Sequence, residues 1–374
     1  MSPTFPLEIF EIIISYVPDD STILTSLALA SPNLTKCSQA HLFSHFRSDR
    51  WGVRSISQNS KDEAPSHLDA AKFLQSIIIN PQLAIHVREF VAPSLGSRYS
   101  QPSDEAWLPL LNEALPLMIN LKSLSLFTYT KFPITTLLDT LVRCEFRLYE
   151  LRWNWVIRDP DAHQQELMST FLTIQSELCS LSLKMTPLPP IPRHALPKLE
   201  TLATTCSNIL TILPGRKVET LDCLYIDPDD PDFDCMTPKS PLATPFRNVK
   251  RLCLGISTMW FRNMEPYFPS LEVLQTSVAM IRDYHFIASN FPKLRTIHIT
   301  RGASTNEQGM MAKWLFSSLP ALETVLWGPP FASQSPCAQP RYDCWMRNSM
   351  PVFLDAVEVH ERTGLLLIDK LCPI

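Results

Sequence analysis

The segment FPKLRTIHI, residues Phe291–Ile299, contains the pattern that decides the fold. Its proline cannot continue a preceding helix. After it, Leu294, Ile297 and Ile299 follow the spacing L-x-x-L-x-L, whose last positions alternate as in a short β-strand. Close copies begin at Leu196, Phe268 and Leu319, and weaker copies at Val87, Leu121, Leu148, Leu178, Val218 and Val249. A pattern whose copies begin 18 to 34 residues apart predicts a solenoid.

Amphipathic stretches between the copies predict helices, namely Thr135–Arg143, Gln164–Gln175, Ile281–Phe291 and Glu307–Leu319. Strand and helix in alternation predict an α/β fold with a parallel concave sheet and outer helices. We expect Trp345–His360 to form a further helix and Leu365–Ile368 a final strand that closes the array. Trp153, Trp155 and Trp327 occupy strand positions that favour core packing.

In each copy, the residues that flank or separate the last two apolar positions should point away from the core. This surface is polar without a dominant charge, which suits a protein segment better than a polyanion. The sequence therefore predicts a target-binding surface that includes Arg152, Ser182, Lys184, Arg251, Gln275 and His298.

Composition limits the classes of function. The 374 residues are 45% hydrophobic and 19% charged, with a net charge of −4 and a pI near 6.1, so a globular core is expected and a general nucleic-acid binder is not. No run reaches the ~20 mostly apolar residues of a membrane-spanning helix. Ten cysteines without a CxxC pair, and no export signal, predict a cytoplasmic or nuclear protein. Only eight glycines are present, which disfavours phosphate-binding loops and nucleophile elbows.

The first fifty residues predict three short helices. The first begins at Pro6 and ends near Val17, and it is apolar nearly all round. Ser21 and Ser31 are suited to cap the second and third helices. So small a unit carries more apolar surface than it can bury alone, so it either packs on the rest of the chain or docks on a partner.

These residues resemble an F-box. The resemblance rests on Phe5-Pro6-x-Glu8-Ile9, Ile13, Val17, Asp20, Leu24, Leu27, Ala28-x-Ala30-Ser31, Leu34 and Leu42-Phe43. It implies docking to the small Skp-type adaptor of a ubiquitin ligase and, through that adaptor, to a cullin. The adaptor-binding residues that it implies are Pro6, Glu8, Ile9, Leu24 and Leu27. The repeats that follow resemble a leucine-rich-repeat array with irregular units.

The predicted organisation has three parts. Residues 1–48 form the F-box, residues 49–80 form a linker and the connecting helix Leu68–Ile79, and residues 81–374 form the solenoid. Two proline-rich insertions, 227–245 and 329–340, interrupt it.

The sequence gives weaker indications of a metal site or a catalytic site. Cys37, His41 and His45 share one helix face and could contribute to a zinc site, but no fourth ligand is evident. The aspartates between Asp227 and Asp234 lack the glycine and glutamate of a calcium loop. No catalytic motif occurs, so we expect no metal, no cofactor and no enzymatic activity.

The leading hypothesis is a substrate receptor of a Skp–cullin–F-box ubiquitin ligase, with an unknown target protein held by the solenoid. The first alternative is a non-catalytic scaffold whose N-terminal helices cap the repeats. An enzyme of unrecognised type is a weaker alternative, which a buried cluster of titratable groups would favour.

Overall fold

The computed structural model describes residues 9, 12, 14, 16, 21–30, 32–47, 66–92, 107–129, 134–156, 161–184, 188, 191–223, 245–254, 268–276, 281–300, 304–328, 341–347, 349, 351–355 and 358. These residues fall into two compact units, which divide between Leu178 and Cys179.

The first unit contains the N-terminal helices and four strands. Ile9, Ile12 and Ile14 are helical. The elements that follow are α1 (Ser21–Ala30), α2 (Pro32–Ser44), β1 (His45–Arg47), α3 (Ser66–Ile79), α4 (Pro81–Ala84), β2 (Glu89–Val91), α5 (Trp107–Ala114) with a 3-10 turn (Leu115–Leu117), β3 (Ser123–Tyr129), α6 (Ile134–Arg143), β4 (Glu150–Val156) and α7 (Ala162–Ile174). The strands β1, β2, β3 and β4 lie side by side in chain order and are parallel.

The second unit continues the same order of elements. It contains β5 (Ser180–Lys184), β6 (Thr201–Thr204), α8 (Cys206–Ile212), β7 (Thr220–Cys223), a 3-10 turn (Pro245–Asn248), β8 (Arg251–Leu254), β9 (Val273–Thr276), α9 (Ile281–Asn290), β10 (Thr296–Ile299), α10 (Thr305–Ser318), β11 (Thr324–Trp327), β12 (Arg341–Met346) and β13 (Val352–Asp355). From β5 to β11 the neighbouring strands are parallel, whereas β12 and β13 are antiparallel additions.

The repeated pattern produces this sheet directly. Leu274, Ile297 and Val325 are register partners on β9, β10 and β11, and all three are fully buried. Each copy thus places one large aliphatic side chain beside the next, on the same face of consecutive strands. The expectation of an α/β fold with a mostly parallel sheet is confirmed, and this order of strands is compatible with a solenoid.

The four helices predicted between the repeat copies are confirmed, and two of them begin with a capping box. The Asp161 carboxylate accepts a hydrogen bond from the Gln164 backbone N–H at 2.8 Å, and the Gln164 side chain accepts one from the Asp161 backbone N–H. Ser304 and Glu307 make the reciprocal pair at the start of α10. These bonds satisfy backbone donors that a helix start leaves unpaired.

The expectation of a helix over Trp345–His360 is wrong. Trp345 lies within β12, and Val352–Asp355 forms β13. Tyr342 and Cys344 are buried while Asp343 between them is half-buried, and this two-residue alternation matches pairing against β11. Helical periodicity had suggested a helix here, but pairing with β11 made the segment a strand. The predicted strand Leu365–Ile368 lies outside the described residues.

The N-terminal helices are joined to the first repeat through a strand and an aromatic stack. β1 begins where α2 ends, and it pairs with β2. The Phe73 ring of α3 stacks on Phe46 at 4.5 Å and on Phe43 at 5.5 Å, and Phe46 stacks on Phe90 of β2 at 5.2 Å. The helices and the first strands therefore share one core.

The predicted boundaries 1–48, 49–80 and 81–374 stay predictions. The connecting helix is present as Ser66–Ile79. The polar linker before it lies outside the described residues, as do the insertions 227–245 and 329–340 apart from Pro245.

Candidate functional site

An apolar stripe on the first helix faces solvent. Ile9 and Ile12 are spaced i and i+3, which places them on one helical face, and Tyr16 follows in a turn. Their exposed fractions are 40%, 54% and 85%, whereas Ile14 is only 2% exposed. Among the described residues of this segment, one apolar side chain is therefore buried and three face solvent, and such grouped apolar exposure favours a docking surface.

The adaptor-binding residues expected from the sequence divide into three groups. Ile9 is exposed and Leu27 is half-buried, so both are accessible. Leu24 is only 3% exposed and is therefore not accessible in this conformation, and its contact with an adaptor stays a prediction. Pro6 and Glu8 lie outside the described residues.

Leu24 is buried because it forms the internal core of the small helices. It packs with Ile14 and Cys37, and Leu34 and Leu42 flank the cluster. Cys37 therefore acts as a small apolar side chain. In the part of the chain that the structure describes, no three His, Cys, Asp or Glu residues are grouped as a metal site.

In the first unit, the expected target-binding residue Arg152 is one-third exposed and paired. Its Nη2 lies 2.6 Å from Oε1 of Glu150, and Oγ of Ser123 donates to Oε2 of the same carboxylate at 3.0 Å. The sheet face here offers a polar cluster of balanced charge. Partly exposed ion pairs of this kind add little stability, so their main contribution is to fix the orientation of the guanidinium.

In the second unit, two of the expected target-binding residues are partly accessible. Arg251 is half-buried on β8, and Ser182 is half-buried on β5. Lys184 belongs to β5, but its side chain lies outside the described residues.

Gln275 and His298 are not on an open surface, so that expectation is wrong. Gln275 is 0% exposed and His298 is 2% exposed. They are register partners on β9 and β10, and their row continues through Cys253 of β8 and Leu326 of β11. Much of this row is apolar or small, so this part of the sheet face is covered rather than solvated.

The same row contains an aspartate and a cysteine that sequence reasoning missed. Asp222 of β7 and Cys253 of β8 are register partners, and both are buried. The Cys253 thiol donates a hydrogen bond to the Asp222 carboxylate. The available signal was their position between the apolar residues of the weak copies that begin at Val218 and Val249.

Burial dominates the electrostatics of the row. It raises the pKa of Asp222 from 3.8 to about 7, although the Cys253 hydrogen bond acts in the opposite direction. Burial together with the Asp222 charge raises the pKa of the Cys253 thiol well above its usual range. Burial lowers the pKa of His298 from 6.5 to about 4, so its ring is neutral at neutral pH. In this row, burial therefore favours the uncharged forms of Asp222, Cys253 and His298.

Several polar atoms of the row have no hydrogen-bond partner within the described part of the chain. They are Oδ2 of Asp222, both amide atoms of Gln275 and both ring nitrogens of His298. A buried polar group without a partner costs roughly 1–3 kcal/mol. This concentration of unmet hydrogen-bonding capacity is the most unusual feature of the second unit.

The row does not form a cysteine–histidine catalytic pair. Cys253 and His298 are on β8 and β10, so β9 separates them by two strand spacings, roughly 10 Å. A nucleophile and its base must be within hydrogen-bond reach. An activated thiol also needs a lowered pKa, and that of Cys253 is raised.

The buried Arg216 has a structural role. Its Nε donates to the Ala195 carbonyl at 2.9 Å and its Nη2 to the Pro192 carbonyl at 2.8 Å, while Nη1 donates to the Ile212 carbonyl. Burial lowers its pKa to about 10. Because its donors are directed at backbone carbonyls, the side chain fastens the loop before β6 to the end of α8.

Comparisons with known proteins identify no family. No protein-family model and no curated protein matches this chain. A crystal structure of a Bacteroides fragilis protein resembles it with a TM-score of 0.38 and 16% sequence identity, covering 70% of this chain and 82% of that one. Within the described residues, no helix has the length and apolar character needed to cross a bilayer.

Proposed function

We propose that this chain is a substrate receptor of a Skp–cullin–F-box ubiquitin ligase. The N-terminal helices bind the Skp-type adaptor, and the repeats bind a target protein. The chain itself performs no covalent chemistry. It acts by proximity, because holding a target beside the ligase raises the effective concentration of its lysines.

The exposed stripe Ile9, Ile12 and Tyr16 is the observation that carries the proposal. Ile23 and Leu29 of α1 extend the apolar exposure, at 42% and 84%. These side chains remain outside although Ile14 and Leu24, on the same two helices, are buried. A partner that covers them would gain ~25 cal/mol for each Å² of apolar surface removed from water.

The junction with the first repeat also supports the proposal. Because β1 and the Phe43, Phe46, Phe73 and Phe90 stack connect the helices to the sheet, an adaptor bound at the helices would be held in a fixed orientation to the first strands. A fixed orientation restricts where a bound target is presented, which raises its effective concentration further than a flexible tether would.

The test is binding of the purified full-length chain to a Skp-type adaptor by isothermal calorimetry. Ile9→Asp combined with Ile12→Asp should weaken binding at least tenfold, because two exposed apolar contacts become desolvated charges. Ile119→Asp is the matched control, since Ile119 is 50% exposed and lies in the segment before β3, outside the N-terminal helices in the sequence. Leu24→Asp would be a poor test because it disrupts the internal core.

Two results would refute the receptor proposal. One is no binding by a folded wild-type chain, and the other is equal loss of binding in the Ile9/Ile12 variant and in the Ile119 control.

A non-catalytic scaffold is the second candidate, and the aromatic stack favours it. Phe73 stacks on Phe43 of α2 and on Phe46 of β1, which packs the N-terminal helices beside the first strands, as a cap on a repeat array would do. A pure cap binds no adaptor, and removal of Phe73 would then affect stability alone. The calorimetric experiment therefore separates the two candidates.

A further inference from the structure

The strongest unexplained feature is the pair Gln275 and His298. They are register partners on the neighbouring parallel strands β9 and β10, about 4.8 Å apart along the hydrogen-bonding direction. Both side chains are at least nine-tenths buried. Four polar atoms of these two side chains lack partners within the described part of the chain.

The surroundings of the pair are bounded by side chains of low polarity. Leu326 of β11 is the next residue of the row beyond His298, and Cys253 of β8 is the next beyond Gln275. The Tyr342 ring meets the imidazole edge-on, with centroids 5.5 Å apart. Gly328 completes the boundary, since a Cβ at that position would lie 3.4 Å from Nε2 of His298.

The chemistry of the two side chains specifies the complementary group. A glutamine amide offers donors and an acceptor in one plane, and a neutral imidazole offers one donor and one acceptor. Neither carries charge, and the nearest titratable neighbours along the row, Cys253 and then Asp222, provide no positive charge for an anion. A carboxamide edge, with an acceptor oxygen beside donor N–H groups, matches this set.

We propose that Gln275 and His298 form a binding site for a small neutral molecule that presents a carboxamide-type donor–acceptor edge. The Gln275 amide pairs with the carboxamide edge, and His298 binds the remaining donor or acceptor. Gly328 places no side chain against the imidazole, where a Cβ would lie 3.4 Å from Nε2. The proposal is independent of adaptor binding, because it concerns the second unit alone.

Small isosteres test the recognised chemistry on the full-length chain. Acetamide is the probe, acetone has the acceptor without donors, and acetate has the same shape with a charge. Titrations are followed through the histidine side-chain signals in ¹H–¹⁵N spectra, where the signal lost in His298→Phe identifies His298 among the nine histidines. Native mass spectrometry of the same sample detects a small molecule that is already bound after purification.

Acetamide should shift the His298 signal with a Kd in the millimolar range, because so few atoms make contact. Acetone and acetate should bind about tenfold more weakly or worse, since one side-chain amide then stays unpaired. If a co-purified neutral molecule fills the site instead, native spectra should show it in the wild type and not in Gln275→Leu. Either result supports the site.

Two variants separate recognition from folding. Gln275→Leu removes the amide at similar volume, and Gly328→Ala places a methyl group beside Nε2 while keeping both polar side chains. Each should weaken acetamide binding about tenfold with an unchanged circular dichroism spectrum. If either variant fails to fold, the comparison of the three probes on the wild type decides alone.

The proposal is overturned if acetamide and acetone shift His298 equally, which would mean that the pair is hydrated by water only. It is also overturned if acetamide causes no shift and no bound molecule is detected. Equal acetamide binding by wild type and folded Gln275→Leu would exclude the glutamine from the site.

Discussion

Replacing Asp222 by asparagine should remove a large pH dependence of stability. Burial raises the pKa of Asp222 from 3.8 to about 7 in the folded chain. The folded state therefore holds this proton more tightly than the unfolded state does. The stability that the protonated group contributes is fully present below the unfolded pKa and is lost as the pH rises through the folded pKa.

The magnitude follows from the size of the shift. About three pH units separate the two pKa values, and each unit corresponds to ~1.4 kcal/mol, so the full loss is roughly 4 kcal/mol. Between pH 5 and pH 8.5, about two of those units are crossed, which corresponds to about 3 kcal/mol. Asparagine does not titrate, and its carbonyl can still accept the Cys253 hydrogen bond.

The assay is urea unfolding of wild type and Asp222→Asn at pH 5 and at pH 8.5, followed by circular dichroism. For each protein, the decrease in the free energy of unfolding from pH 5 to pH 8.5 is determined. The prediction concerns how much larger this decrease is in the wild type than in Asp222→Asn. Other groups cancel in this difference, including His298, whose lowered pKa makes stability rise with pH between about 4 and 6.5. An equal loss in both proteins would refute the reasoning that Asp222 is buried without a compensating charge.

Three further predictions concern stability. Phe73→Ala should lower the free energy of unfolding by about 3 kcal/mol, because it removes the ring at the centre of the aromatic stack. Ile79→Ala, at an exposed position of the same helix, should cost under ~0.5 kcal/mol, and similar urea midpoints for the two variants would contradict the shared core. Arg216→Met should lower the free energy of unfolding in urea by about 3 kcal/mol or more, because it leaves buried carbonyls without donors. The control is Lys217→Met at the exposed neighbouring position, whose free energy of unfolding should stay near that of the wild type. Asp161→Ala should cost about 1 kcal/mol by thermal unfolding through loss of the α7 cap, and the reasoning fails if Asp161→Asn, which can still cap, is equally destabilised.

Much of the fold could be predicted because its determinants are local. The proline in each strong copy stops a preceding helix, and the alternating aliphatic residues after it favour a strand, so strands such as Thr296–Ile299 follow from a few adjacent residues. Helical periodicity likewise predicted α7 and α10. Repetition of one unit then makes neighbouring strands parallel and consecutive.

The candidate sites could be predicted only in part. Helical spacing groups apolar residues of one helix but does not say which of its faces is buried. Leu24 was expected to contact an adaptor because of the resemblance to an F-box, whereas the structure leaves it only 3% exposed. Two-residue alternation likewise groups Gln275 with the outward positions of β9 without saying whether that side is covered. The Trp345 segment became a strand because β11 offered a partner.

The sequence by itself determined the succession of strands and helices, since each depends on interactions among residues a few positions apart. Tertiary structure alone decided that Asp222 hydrogen-bonds to Cys253, that Gln275 lies beside His298, and that Leu24 is inside while Ile12 is outside. The physical reason is that burial and pairing depend on contacts between segments distant in sequence. Local periodicity identifies the residues that share a face, and only packing determines whether that face meets water.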